Sequence, residues 1–186
     1  MKAARIYKYG SMEEIRIETV EMPRITADEV LVKVVATAVN PLDWIFRSGR
    51  LQYIIPAKLP ITLGWDFSGI ITEVGGEISD FAVGDAVCSR PEVFRDGSHA
   101  EYIAVPAKDI ALKPRTLTFS MAASLPIASI TAWQSLLDIG ELKEGQTVLI
   151  HGGAGSLGCI AVQIAKSVGA RVIVTAAARD HDFVKS

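Results

Sequence analysis

The sequence predicts an α/β protein in two parts: a small antiparallel barrel or sandwich over residues 1–121, and from residue 122 the opening of a parallel βαβ sheet. Three observations predict it. Up to about residue 120, short β-branched runs alternate with Gly and Pro punctuation. Near Ser120 the texture turns helical. Beyond it, an apolar strand, a glycine turn, an amphipathic helix and a second strand follow within about thirty residues.

In the first part, strands are expected at Val30–Val35, Gly69–Val74 (closed by Gly75-Gly76), after the turn at Gly84-Asp85, and at His99–Val105. Ser120 reads as an N-cap, and Pro126 interrupts the helix it opens. Ile127–Ile139 reads helical, with Gly140 as its C-cap. Thr147–His151 is a short apolar strand and Arg171–Thr175 a second one. Between them Leu157, Ile160, Ala161, Ile164, Ala165 and Val168 recur at helical spacing, which predicts one buried stripe on a helix over 156–168. Strand, helix and strand make a right-handed parallel unit.

Composition bounds the function. The 186 residues are 49% hydrophobic and 22% charged, ordinary for a chain with a real core. A formal charge of −2, with 19 Lys and Arg in no run, gives no electrostatic footprint for nucleic acid. No apolar stretch reaches the ~20 residues of a membrane span. The start, MKAARIYKYG, has no apolar core of a signal peptide, so a cytoplasmic location is the expectation. Cys88 and Cys159 are the only cysteines, too few for a disulfide framework or a four-ligand zinc site.

Gly153-Ala154-Gly155-Ser156-Leu157-Gly158 matches G-x-G-x-x-G, preceded by Gly152. Its setting between strand and helix points to a dinucleotide. Gly153 is expected to allow the tight turn, Gly155 the close approach of a pyrophosphate, and Gly158 the close packing of helix on strand. The free N–H groups near Ser156 and Leu157 then face an anion. An NAD site usually carries Asp or Glu at the end of the second strand. Here Thr175-Ala176-Ala177-Ala178 contains none, and Arg179 follows. Arg179 pairing with a 2′-phosphate favours NADP(H); Arg179 as a solvated loop residue is the alternative, and Asp180 would have to point away.

With this unit located, further segments carry a resemblance along nearly the whole chain: VNPLDWIFRSG at 39–49, LPITLGWDFSGIITEVG at 59–75, FAVGDAV at 81–87, GSHAEYIAV at 97–105, AASLPIASITAWQSL at 122–136 and VLIHGGAGSLG at 148–158. The sequence resembles the medium-chain dehydrogenase/reductase superfamily, in its zinc-free quinone oxidoreductase (zeta-crystallin-like) branch. The resemblance implies a GroES-like β-barrel substrate domain followed by a Rossmann domain, with the active site in the cleft between them. Zinc-dependent members carry a Cys after the early strand and a His-Glu pair after a later glycine. Here those stretches read Val39-Asn40-Pro41 and Gly64-Trp65-Asp66, without Cys or His. Cys88, His99 and Asp66 have no zinc-ligand spacing known to us, and Cys88 reads better as a small hydrophobe ending a strand.

The expected reaction is hydride transfer from NADPH to the β-carbon of an enone or quinone, with a hydrogen-bond donor for the developing enolate. The resemblance places Asn40 beside nicotinamide and substrate, where its amide can donate. Asp43, in the same N-P-x-D motif, is either catalytic or a brace for the turn. Tyr53 and Trp65 are either pocket walls or core. Thr131 matches a position that touches nicotinamide in relatives, or packs at a helix start. His151 is expected to support the glycine turn.

Only the first strands and helix of a Rossmann sheet are visible, and the final HDFVKS reads as the start of another helix. A shortened chain is therefore expected, with two functional classes open: an NADP-dependent quinone or enone reductase acting on a small carbonyl substrate, or a fragment that binds or dimerises without turnover. Members commonly form homodimers through a Rossmann sheet edge that lies outside this sequence. An incomplete sheet is expected to leave strand edges and an apolar face open.

Overall fold

A computed structural model describes residues 1–185. The run EVLVKVVAT forms β3 (Glu29–Thr37), around which the first part is organised. Its alternation is weak in sequence because Val30, Leu31 and Val32 are all buried, on both faces. β3 pairs antiparallel with β5 (Phe67–Val74) on one side and β7 (Tyr102–Pro106) on the other. β6 (Ala86–Ser89) and β8 (Ile110–Leu112) extend the sheet to the order β7-β3-β5-β6-β8. Two register shifts between β3 and β5 bend the pair.

A second antiparallel sheet has the order β2-β1-β4, from β1 (Lys2–Ile6), β2 (Arg16–Thr19) and β4 (Ile61–Thr62). An Ala3–Ala100 bridge and the bond from Ala4 N–H to the His99 carbonyl (2.8 Å) join it to the segment before β7, giving a curled half-barrel. One core holds Val30, Val32, Phe67, Ile71, Val87, Ile103 and Val105. Another holds Ile6, Phe46, Ile61, Leu63, Trp65 and Val93. The chain from Ile61 to Gly69 is buried without a break, which is why LPITLGWDFSG is so apolar.

Sequence reading expected only strands in this part, yet α1 (Pro41–Arg47) is a helix. Its signal was present: Asn40 is the N-cap, Pro41 opens the helix, and Asp43 stands at the third position. The helix α2 (Phe119–Ala123) is capped by Thr118, whose hydroxyl accepts from Met121 N–H at 3.2 Å, so Ser120 lies inside the helix rather than at its cap. Pro126 does not merely interrupt: it opens α3 (Pro126–Trp133), where its missing N–H costs nothing. The helix continues in wider turns over Gln134–Ile139, closed by Gly140 N–H on the Ser135 carbonyl at 3.1 Å.

The chain divides into two compact units, the first Met1–Pro126 and the second starting at Ile127. In the second, β9 (Thr147–His151) and β10 (Arg171–Thr175) pair in parallel, in register from Thr147–Arg171 to His151–Thr175. The connecting α4 (Ser156–Ser167) packs on both. Its stripe buries Ala161 and Ala165 as expected, whereas Leu157 remains 44% exposed beside the glycine turn. Much of the fully buried core here is alanine, with Ile150 the large side chain, and Leu149 and Ile173 stay about half exposed on the other face of the sheet. A short α5 (His181–Lys185) ends the described part. No helix among the described residues is long and apolar enough to cross a membrane.

Candidate functional site

In the second unit the site forms where β9 meets α4. The left-handed residue is Gly152 (φ +70°), so it, and not Gly153, makes the tight turn. Gly153 is required for another reason: a Cβ there would stand 2.0 Å from Val174 Cγ1. A Cβ on Gly158 would stand 2.2 Å from the Gly152 carbonyl oxygen, the helix-on-strand contact expected of it. A Cβ on Gly155 meets only that same oxygen, at 3.2 Å, so its outer side is open for a ligand's approach.

Thr175 fastens the turn from the next strand. Its hydroxyl accepts from Gly152 N–H and lies the same 3.1 Å from His151 Nδ1, and its carbonyl accepts from Gly153 N–H at 3.0 Å. Those two N–H groups are thereby used. Ser156, Leu157 and Gly158 open α4, where no earlier helical carbonyl exists to receive their N–H groups. Beside them a cavity of about 350 Å³ is lined by Ser135, Leu136, His151, Gly155, Ser156 and Leu157 among others. An open glycine approach, unclaimed N–H donors and the positive end of a helix suit a pyrophosphate. A larger cavity of about 780 Å³ in the first unit, lined by Arg5, Glu18 and Arg95, includes none of the predicted site residues.

Arg179 follows in a single turn of helix and is 87% exposed. Asp180 does not point away, as a 2′-phosphate site would ask: its carboxylate stands 3.8 Å from Arg179 Nε. So exposed a pair is held weakly and parts readily for a competing anion. Thr131 back-bonds through its hydroxyl to the Ile127 carbonyl at 2.6 Å, one turn earlier in α3.

In the first unit, Asn40 and Asp43 come together at the start of α1. The Asp43 carboxylate accepts from Asn40 N–H at 2.6 Å. Asp43 is only 5% exposed, and its Oδ1 is buried without a hydrogen bond. Burial pushes its carboxyl up, against the opposing pull of Asn40 N–H, the His99 ring and Gly64 N–H. Folded Asp43 thus holds its proton more tightly than unfolded Asp43. Stability attached to it is present at low pH and is lost as pH rises from about 4 through the raised value. We expect the stability difference between wild type and Asp43→Asn, measured by denaturant melts across pH, to fall over that window; parallel curves would exclude this role.

Asn40 Nδ2 donates to Asp66 Oδ2 at 2.9 Å, and Asp66 is fully buried. Trp65 is 0% exposed and packs edge-on to Phe46 at 4.7 Å, so it is a core residue with no face toward solvent. Tyr53 is the opposite, 92% exposed on the segment after α1. Sequence reasoning did not connect Asp66 and His99 with the Asn40–Asp43 corner. The signal was Asp66 itself, the single charged residue in a largely apolar buried run. Among the described residues no group of three His, Cys, Asp or Glu could hold a metal ion.

Comparison with known proteins agrees with the fold. Residues 26–115 match the alcohol dehydrogenase GroES-like domain family. The chain is 36% identical to the 2-methylene-furan-3-one reductase of Solanum lycopersicum, covering 100% of this chain and 50% of that protein. It is also 36% identical to the chloroplastic NADPH-dependent alkenal/one oxidoreductase of Arabidopsis thaliana, again over 100% and 50%. The solved quinone oxidoreductase of Coxiella burnetii superposes with a TM-score of 0.87 at 36% identity, over 100% of this chain and 59% of that one. The chain spans about half the length of the curated relatives it matches.

Proposed function

Because the chain belongs to the medium-chain dehydrogenase/reductase superfamily, in its quinone oxidoreductase branch, we propose that it serves a zinc-independent, NADPH-dependent reduction of quinones or α,β-unsaturated carbonyls. The observation that carries the proposal is the glycine turn, with its open approach at Gly155 and the unclaimed N–H groups of Ser156, Leu157 and Gly158.

Those N–H groups hold the pyrophosphate, and Gly152 and Gly153 supply the backbone shape that aims them. Arg179, exchanging Asp180 for a 2′-phosphate, selects NADPH over NADH. Bound NADPH supplies a hydride to the β-carbon of a conjugated carbonyl. Asn40 donates a hydrogen bond from its amide N–H to the carbonyl oxygen as negative charge develops on it, and solvent supplies the proton that completes the reduction. Asp43 braces Asn40 by accepting its main-chain N–H. Tyr53, exposed and free of core contacts, forms a wall of the substrate pocket. Thr131 lies toward the nicotinamide end, its hydroxyl held by the Ile127 carbonyl. Zinc independence rests on Val39-Asn40-Pro41 and Gly64-Trp65-Asp66, which lack the Cys and His that a catalytic zinc needs.

The test is NADPH titration followed by reduction of a quinone and an enone. NADPH consumption with either acceptor supports the proposal, and binding without turnover favours a binding module instead. If NADPH neither binds nor is oxidised, the proposal fails. Arg179→Ala is expected to weaken NADPH about tenfold, the worth of one charge-assisted contact, and to leave NADH unchanged. Equal weakening of both cofactors would remove Arg179 from the 2′-phosphate.

A further inference from the structure

The Asn40 side chain has two chemically opposite ends. Its NH2 end only donates and its Oδ1 end only accepts. A carboxylate only accepts, so the NH2 end alone can face one; turned around, Oδ1 would meet an acceptor and leave a buried group unpaired. Asn40 Nδ2 donates to Asp66 Oδ2 at 2.9 Å. Asn40 itself is half buried, and Asp66 lies wholly beneath the surface.

Asp66 is also held in place. Its main-chain carbonyl accepts from Thr37 Oγ1 at 2.7 Å, Ser98 Oγ at 3.0 Å and Ala38 N–H at 3.2 Å. The Thr37 and Ser98 hydroxyls also lie 2.8 Å apart, so with one hydrogen each they make two of the three hydroxyl contacts at a time; Ser98 is fully buried. Trp65, one residue earlier, is locked in the core, and β5 begins one residue later. With its backbone fixed by these bonds and its side chain fully buried, the carboxylate has little freedom to follow a rotating amide, so the amide follows the acceptor.

We propose that Asp66 is the positioning residue for Asn40: by holding the NH2 end inward it fixes the amide's orientation and leaves one amide hydrogen as a donor for a substrate carbonyl oxygen. This rests on the proposed reductase reading for the substrate. It also sets the polarity of the site. The group received at Asn40 is an acceptor, a ketone or quinone oxygen, and not the hydroxyl of an alcohol presented as a donor.

The test is a double-mutant cycle on the full chain with NADPH and methyl vinyl ketone. Asn40→Ala is expected to lower kcat by about a hundredfold, the effect of losing one donor to a developing oxyanion. Asp66→Ala is expected to approach that loss, with KM changed less than about threefold. The double variant is expected to turn over no more slowly than Asn40→Ala alone, because the effect of Asp66 on turnover runs through Asn40. Multiplying losses would make Asp66 a structural residue and overturn the proposal. Asp66→Asn, nearly isosteric, repeats the cycle if Asp66→Ala does not fold; it is expected to show a smaller loss that again vanishes in the Asn40→Ala background. A wild-type measurement is independent of folding of any variant. In ¹H–¹⁵N spectra, one Asn40 side-chain amide proton should lie downfield of its twin and exchange slowly. Two equivalent, fast-exchanging protons would overturn the proposal. If wild type shows no NADPH-dependent turnover, the reductase reading fails, while the amide spectrum still decides whether Asp66 orients Asn40.

Discussion

Alanine in place of Gly158 is expected to abolish dinucleotide binding and to destabilise the second unit by about 1–3 kcal/mol, the usual cost of an overpacked position. The added Cβ would stand 2.2 Å from the Gly152 carbonyl oxygen, a backbone atom at the bend between β9 and α4. No side-chain rotation relieves that contact, so α4 must move off β9. The small core beneath it, largely alanine, gains little purchase elsewhere. Moving α4 also moves the N–H groups of Ser156 and Leu157 off the ligand. Gly155→Ala separates the two effects, since its Cβ meets only one oxygen, at 3.2 Å. There we expect a nearly normal melt with NADPH affinity reduced more than about tenfold, the loss of one good contact to an anion. NADPH fluorescence titration and thermal melts on both variants check this. Normal NADPH binding by Gly158→Ala would sink the assigned cradle.

The second large effect is on stability alone. Trp65→Ala should cost about 3–5 kcal/mol, typical of a large aromatic removed from a core, and lower the first unit's midpoint on the order of 10–20 °C. Trp65 is 0% exposed and joins Phe46 on α1 to Ile6 and Ile61 from the smaller sheet and to Leu63 just after it. Removing it leaves a cavity where helix and sheet meet. Its indole Nε1 is buried without a hydrogen-bond partner, so Trp65→Phe removes an unsatisfied donor along with some volume. Phenylalanine should therefore recover much of the loss. A melt of Trp65→Ala within a few degrees of wild type would show that the ring is not a core anchor.

The second unit was the more legible part of the sequence. Thr147–His151 and Arg171–Thr175 match the strands residue for residue, because apolar β-branched runs between glycines leave few alternatives. The first unit was harder. β1 and β2 carry Lys2, Arg5, Arg16 and Glu18, and of their residues only Ala3 and Ile6 are buried, so no periodic apolar signal marks them. β4 is two residues long and owes its pairing to β1, far away in sequence. At the candidate site, Asn40 and Asp43 were found through the resemblance, which their short N-P-x-D stretch carries, although the helix that they open was not foreseen. Asp66 was seen only as a failed metal ligand, since its partner lies 26 residues away and the bond between them depends on tertiary structure. The same holds for the turn: sequence spacing located the glycines, but only coordinates show that the left-handed residue precedes the motif's first glycine.

The fastening of Gly152 and Gly153 by Thr175 also makes β10 a ruler. Its five residues run in step with β9, so that Thr175 arrives level with His151. Deleting one residue from Ala170–Val174 would bring Thr175 up short, exchange the two faces of the strand and strand both turn N–H groups without acceptors. Substitutions along β10 change side chains but keep this length. Over evolutionary time the segment can therefore drift in composition far more freely than it can gain or lose a residue.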